Sequence, residues 1–111
     1  SWDFGEGAID DGTGVVQCIE VLRTLKALGY ENNHTIRVVL FANSENGGQG
    51  REMYASYVKK KGEKHIFAFG TDAGGYSPRG CSLDMSPQRR RQIFEWKNYF
   101  LPYGVYDFDI L

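Results

Sequence analysis

Residues 35–42 read TIRVVLFA, a nearly continuous run of apolar and β-branched side chains that one arginine interrupts. A strand that is covered on both faces has this composition, whereas a strand with one wet face alternates polar and apolar residues. A second apolar run follows at residues 65–70, beyond a segment with a helical pattern. This order favours an α/β fold in which helices pack over a largely parallel sheet.

Two helices are predicted around the first apolar run. Residues 13–28 carry apolar side chains at steps of three and four, which is typical of a helix with one buried face. That stripe consists of Val15, Cys18, Ile19, Leu22 and Leu25. Residues 50–61 form the second predicted helix, with Met53, Tyr54 and Tyr57 as its buried edge. A glycine follows each helix, where a left-handed cap belongs.

A third helix and a further strand are predicted near the end of the chain. Ser86 and Pro87 have the residue types of an N-terminal cap and a first helical position, and the pattern continues to about Phe100. Apolar residues then alternate with acids from Tyr106, which predicts the start of a strand. The stretch from residue 73 to 80 is rich in glycine and proline and is predicted to be a loop.

Composition excludes several classes of protein. The chain has 111 residues, 41% hydrophobic content and a formal net charge of −1, which fit one globular domain at most. A nucleic-acid partner is not expected, because such proteins usually present a strongly basic face. No membrane span is expected either, because no apolar run approaches the roughly 18 residues that a span requires.

Three acidic positions follow predicted strands or precede a predicted helix. Asp10 and Asp11 lie ahead of the first helix, Glu45 follows the first strand, and Asp72 follows the second. The carboxyl ends of parallel strands meet at one edge of a sheet, so these carboxylates are expected to converge. Clusters of carboxylate oxygens hold divalent metals, and a bridging carboxylate lets two ions sit about 3.5–4 Å apart.

Each of these acids also has a simpler interpretation. Asp11 could be an acid at the start of a helix, where the helix dipole favours negative charge. Glu45 could be a solvated loop residue, and Asp72 could cap the turn that follows it. The pattern alone does not decide between a metal site and these structural roles.

Three short motifs occur in a fixed order: GAIDDGTG at residues 7–14, NSENGG at 43–48 and TDAGG at 71–75. Together with SWDFG at residues 1–5, they resemble the zinc aminopeptidase and glutamate carboxypeptidase family, whose members bind two zinc ions. The resemblance implies an α/β fold that is part of a three-layer α/β/α sandwich with a largely parallel mixed sheet. It also implies that residues 1–111 are a fragment of a single zinc-peptidase catalytic domain.

The resemblance implies a role for each matching residue. Asp10 corresponds to the carboxylate that bridges the two zinc ions, Glu45 to a ligand of one zinc, and Asp72 to a ligand of the other. The peptide between Asp10 and Asp11 is expected to be cis. Ser44 stands where the family has its general-base glutamate, and a serine hydroxyl is not basic enough near neutral pH to replace it. Ser44 is therefore expected to be inert.

Two histidine ligands of the family have no counterpart in the chain. By resemblance, one lies just before Ser1 and the other well beyond Leu111. His34 precedes the first predicted strand and His65 begins the second, which is the wrong end of a parallel sheet for this site. Both are expected to be surface or packing residues. The isolated chain is expected to bind little or no zinc and to lack peptidase activity.

These observations predict part of a zinc-dependent exopeptidase, an amino- or carboxypeptidase that hydrolyses terminal peptide bonds in peptide substrates. By resemblance, the parent protein is expected to be secreted or periplasmic. Surface exposed by truncation is expected to permit self-association. The alternative is a non-catalytic pseudo-peptidase that binds peptides or a partner protein, and Ser44 favours it. A third possibility is a truncated scaffold that holds no metal.

Overall fold

The computed structural model describes residues 5–72 and 74–110. The chain divides into two compact units, Ser1–Gly75 and Tyr76–Leu111. Helices and a small parallel sheet together make the fold mixed α/β, as the sequence predicts. Within the described ranges, no helix combines the length and the apolar character needed to cross a bilayer.

The Ser1–Gly75 unit contains helices α1 (Thr13–Ala27) and α2 (Gln49–Lys61), which lie where they are predicted. Both helices end in the same way. Gly29 and Gly62 adopt left-handed φ angles of 63° and 67° just beyond the helices. The amide after each glycine donates to a carbonyl five residues earlier, at 3.0 and 3.1 Å. These paired bonds satisfy carbonyls that the last helical turn would otherwise leave open.

The burial of the helix faces agrees with the prediction for α1 and only in part for α2. On α1, four of the five stripe residues are half-buried, while Ile19 is 52% exposed. On α2, Tyr54 and Val58 are the half-buried pair, one turn apart on one face. Met53 and Tyr57 lie on a neighbouring face and are exposed, so their predicted burial is wrong.

Neither apolar run forms a strand in the described structure. Residues 35–42 and 65–70 take part in no sheet among the described residues, so the two predicted strands are not observed. Large apolar side chains of these runs remain open, with Ile36 44%, Phe41 47% and Phe69 69% exposed. The physical reason is that a strand is defined by the ladder it shares with a neighbouring strand, whatever its composition.

A polar and aromatic cluster connects α2 to both apolar runs. The Arg37 guanidinium donates to Oε2 of Glu63 at 2.9 Å and to the Tyr54 hydroxyl oxygen at 3.0 Å. The Tyr54 hydroxyl lies 2.8 Å from Nε2 of His65, and its ring meets Phe41 edge-on at 5.8 Å. The hydrogen bond from Arg37 lowers the pKa of the Glu63 carboxyl. His65 is thus an exposed residue that contacts Tyr54, in agreement with the predicted surface or packing role.

The Tyr76–Leu111 unit has short elements. They are β1 (Gly80–Leu83), α3 (Pro87–Glu95), α4 (Lys97–Phe100), a 3₁₀ turn (Leu101–Tyr103) and β2 (Asp107–Ile110). The third predicted helix is therefore two helices, because the chain tightens at Trp96, whose amide lies within bonding distance of the Gln92 and Ile93 carbonyls. Strand β2 is observed as predicted, whereas β1 was not predicted.

The two strands pair in parallel, with Gly80 opposite Asp107 and Leu83 opposite Ile110. Leu83 is 4% exposed and is the buried apolar residue of the described structure. On β2, Phe108 meets the rings of Phe94 and Phe100, with centroids at 6.4 and 5.8 Å. The helices of this unit therefore pack their aromatic side chains against its sheet.

The first turn of α2 lies directly on the end of the first apolar run. A Cβ atom added at Gly50 would lie 2.6 Å from the carbonyl oxygen of Ala42 and 3.1 Å from its amide nitrogen. Both contacts involve backbone, which cannot rotate away as a side chain can. This approach fixes the two ends of the loop that carries Ser44 and Glu45.

Replacing Gly50 by alanine is expected to destabilise the Ser1–Gly75 unit, by about 1–3 kcal/mol from overpacking. Because the backbone atoms of Ala42 cannot yield, the upper end of this range applies. A net loss of about 2 kcal/mol is therefore expected after the roughly 1 kcal/mol that alanine contributes as a helix former. Gly70→Ala is the matched control, because nothing lies within 4 Å of a Cβ there. Urea unfolding followed by circular dichroism measures both variants, and equal midpoints for Gly50→Ala and wild type would contradict this expectation.

Candidate metal centre

The turn that carries the two adjacent aspartates precedes α1. Residues Ala8–Gly12 form one wide turn, closed by the Gly12 amide, which donates to the Gly7 carbonyl at 2.7 Å. Asp10 (φ −115°, ψ 97°) and Asp11 (φ −125°, ψ 41°) leave the helical region inside this turn. The peptide between them is cis, as the resemblance implies. The Asp10 side chain is exposed, and Asp11 is half-buried.

Asp11 has a structural role at the start of α1. Its Oδ1 accepts the Gly14 amide at 3.0 Å, which satisfies one of the amides that the first helical turn leaves open. Gly14 is buried, and a Cβ there would collide with the Asp11 carboxylate. The simpler interpretation of Asp11, as an acid at a helix start, is therefore correct. Asp10 remains the metal-ligand candidate of the pair.

Asp11→Ala is expected to destabilise α1 by about 1 kcal/mol, the usual cost of losing a capping oxygen. Asp11→Asn keeps an acceptor oxygen and is expected to retain most of that stability. Asp10→Ala makes the same chemical change one residue earlier, where the side chain is exposed, and is expected to change stability by less than about 0.5 kcal/mol. Thermal unfolding of the three variants distinguishes the roles, and an equal loss in both alanine variants would refute the assignment of the cap.

The loop after the second apolar run lies against the start of α1. The Thr13 hydroxyl lies within hydrogen-bond distance of the Gly74 carbonyl oxygen, at 2.7 Å. The Gly74 amide donates to the Ile9 carbonyl at 3.4 Å. Further along the helix, the Thr71 hydroxyl donates to Oε1 of Gln17 at 3.1 Å. The segment that carries Asp72 is therefore joined to the turn that carries Asp10.

Ser44 and Glu45 lie together on a separate turn between the first apolar run and α2. The Gly48 amide closes this turn by donating to the Asn43 carbonyl at 3.0 Å. Asn43 adopts a left-handed φ of 65°, which a short polar side chain tolerates better than most. Both Ser44 and Glu45 are exposed. Exposure of Glu45 fits both interpretations given above, a solvated loop residue and a metal ligand, and does not separate them.

The chemistry of Asp10, Glu45 and Asp72 fits a divalent cation, because all three offer carboxylate oxygens from exposed loop positions. Two of their three loops are joined to each other. Within residues 5–72 and 74–110, however, no three His, Cys, Asp or Glu side chains gather closely enough to hold an ion. The three metal ligands therefore stay a prediction, as does the inert role of Ser44.

Sequence reasoning did not identify Thr13 or Gln17 as the residues that join the two loops. Their contacts link positions 61 and 54 residues apart. No local pattern carries that information, because both residues fit a solvated position on a helix equally well. The GTG at residues 12–14 belongs to the first of the three motifs, but nothing in that motif distinguishes the threonine hydroxyl.

Comparison with known proteins identifies what the chain is similar to. Residues 1–107 match the family described as Peptidase family M28. Among curated relatives, carboxypeptidase Q of Mus musculus is 34% identical, and those of Xenopus laevis and Homo sapiens are 32% identical. Each match covers 95% of this chain and 22% of the relative, so the chain spans about a fifth of their length. No solved structure is significantly similar to it.

Proposed function

Because the chain belongs to peptidase family M28, we propose that it forms part of the catalytic domain of a zinc-dependent exopeptidase. The observation that carries this proposal is the family match over residues 1–107, and the joined loops of Asp10 and Asp72 support it. The name of the relatives favours a carboxypeptidase among the exopeptidases. In this proposal, residues 1–111 belong to a single three-layer α/β/α sandwich with a largely parallel mixed sheet. The open apolar runs would then pair with strands formed elsewhere in the polypeptide.

Asp10 is proposed to bridge two zinc ions, with Glu45 binding one ion and Asp72 the other. The capping role of Asp11 supports Asp10 as the bridging residue, because the Asp11 carboxylate already accepts the Gly14 amide. Since the described residues do not gather three ligands, the remaining ligands are proposed to come from other parts of the polypeptide. When bound, zinc would act as a Lewis acid toward the peptide carbonyl.

Ser44 decides whether the polypeptide carries out catalysis. It shares the 43–48 turn with Glu45, and its hydroxyl cannot act as a general base near neutral pH. A well-placed general base typically contributes a factor of about 10²–10⁴ to the rate. This residue therefore also supports the second candidate function, a pseudo-peptidase that binds a peptide or a partner protein without cleaving it.

Restoring the base is expected to reveal the reaction. In the full-length polypeptide that contains this chain, Ser44→Glu is expected to raise the rate of dipeptide hydrolysis by about 10²–10⁴. Ser44→Ala is the control and is expected to match the wild type, because neither side chain is basic. Zinc-supplemented assays of product release measure all three. Lower activity in Ser44→Ala than in the wild type would contradict the inert role of Ser44. Inactivity of the wild type and both variants would favour the binding function.

The isolated chain is expected to retain much less than one zinc ion through dialysis. Metal affinity falls steeply when ligands are missing, and three carboxylates on loops do not make a complete site. In the full-length polypeptide, alanine at Asp10, Glu45 or Asp72 is expected to reduce zinc content. Asp84→Ala removes an exposed acid of the other unit and serves as the control. Elemental analysis decides the matter, since stoichiometric zinc in the isolated chain would contradict the expectation.

The same proposal covers the substrate, the location and the self-association of the protein. The partner of the intact protein is a peptide substrate, and its location is proposed to be secreted or periplasmic. Self-association of the isolated chain is proposed to involve the open apolar side chains of the two runs, such as Ile36 and Phe69.

A further inference from the structure

Thr13 is the first residue of α1, and its side chain reaches two carbonyl groups at once. The hydroxyl oxygen lies 2.8 Å from the Ile9 carbonyl oxygen and 2.7 Å from that of Gly74. A hydroxyl has one proton, so it donates to one carbonyl at a time or is shared between them. The Gly74 amide donates to the same Ile9 carbonyl at 3.4 Å. These groups join two segments 61 residues apart in the chain.

We propose that Thr13 is a positioning residue, whose hydroxyl holds the loop of Asp72 against the turn of Asp10. Asp10 directly follows Ile9, and Asp72 lies two residues before Gly74. Movement at the contact would therefore change the separation of the two carboxylates. That this separation matters for zinc binding rests on the proposed function, whereas the contact between Thr13 and Gly74 involves no metal.

The geometry of the threonine side chain explains why this residue suits the contact. Its methyl carbon Cγ2 lies 3.4 Å from the point that a Cβ on Gly75 would occupy. Both branches of the side chain thus face Gly74 and Gly75. Branching at Cβ restricts the side chain to few rotamers in a helix, so one rotamer places the hydroxyl and the methyl group together. The direct backbone bond between the segments is long, so the hydroxyl is the shorter connection.

Hydrogen exchange tests the contact directly. Thr13→Val keeps the shape and branching of the side chain and removes the hydroxyl, whereas Thr13→Ser keeps the hydroxyl. Thr24→Val is the matched control, because the Thr24 hydroxyl contacts only Glu20 on the same helix among the hydrogen bonds described for it. In the full-length polypeptide, Thr13→Val is expected to speed exchange at Gly74 about fivefold to tenfold, in line with the loss of one hydrogen bond.

The other variants give the reference values. Thr13→Ser and Thr24→Val are expected to exchange at Gly74 as the wild type does. The Gly14 amide donates to the Asp11 carboxylate, and its exchange provides an internal reference for the integrity of the helix start. Unchanged exchange at Gly74 in Thr13→Val, with Gly14 also unchanged, would overturn the proposal. Equal acceleration at both amides would overturn it too, because the substitution would then act through fraying of the helix.

Zinc affinity supplies the second readout. Competition with a chromophoric chelator is expected to show that Thr13→Val weakens zinc binding by the full-length polypeptide about tenfold or more, as loss of a group that orients ligands does. Thr13→Ser is expected to restore it. Faster exchange with unaltered zinc affinity would overturn the positioning role. A wild type that binds no zinc would instead refute the proposed function, and exchange at Gly74 would still decide whether Thr13 holds the loop.

Discussion

The hydrogen bond from the Gly14 amide to the Asp11 carboxylate is the interaction on which the candidate site depends. It fixes where α1 begins, and thereby the direction in which the preceding turn leaves the helix. Asp11 turns toward the helix, whereas its neighbour Asp10 is exposed. The same helix start places the Thr13 side chain on the loop that carries Asp72. One capped helix end therefore organises two of the three predicted ligand loops.

Features governed by local chemistry could be predicted from the sequence. Both helices of the first unit end where Gly29 and Gly62 provide a left-handed conformation, and this signal requires only neighbouring residues. Asp10 precedes α1 in the structure, as the sequence indicates, and Glu45 and Asp72 lie outside its helices and strands. The cis peptide after Asp10 was implied by family resemblance, and no local pattern would have indicated it.

Features governed by distant partners could not be predicted. The TIRVVLFA run has the composition of a buried strand, but a strand exists only where a neighbouring backbone completes its ladder. Met53 and Tyr57 are apolar enough for burial, yet the face of α2 that packs is chosen by Arg37, Phe41 and His65 from other segments. Strand β1 was missed because GCSL is short and weakly apolar, and its pairing with β2 spans residues 80 and 107.

The contact between Gly50 and Ala42 has an evolutionary consequence. Where a tight contact involves two side chains, a larger residue at one position can be accommodated by a smaller one at the other. Here the atoms that a Cβ would meet are the carbonyl oxygen and the amide nitrogen of Ala42, which every residue type at that position shares, apart from the imide of proline. No second substitution at position 42 can compensate by reducing its side chain. Homologues that keep this approach of helix to chain should therefore show glycine at position 50 without covariation at position 42.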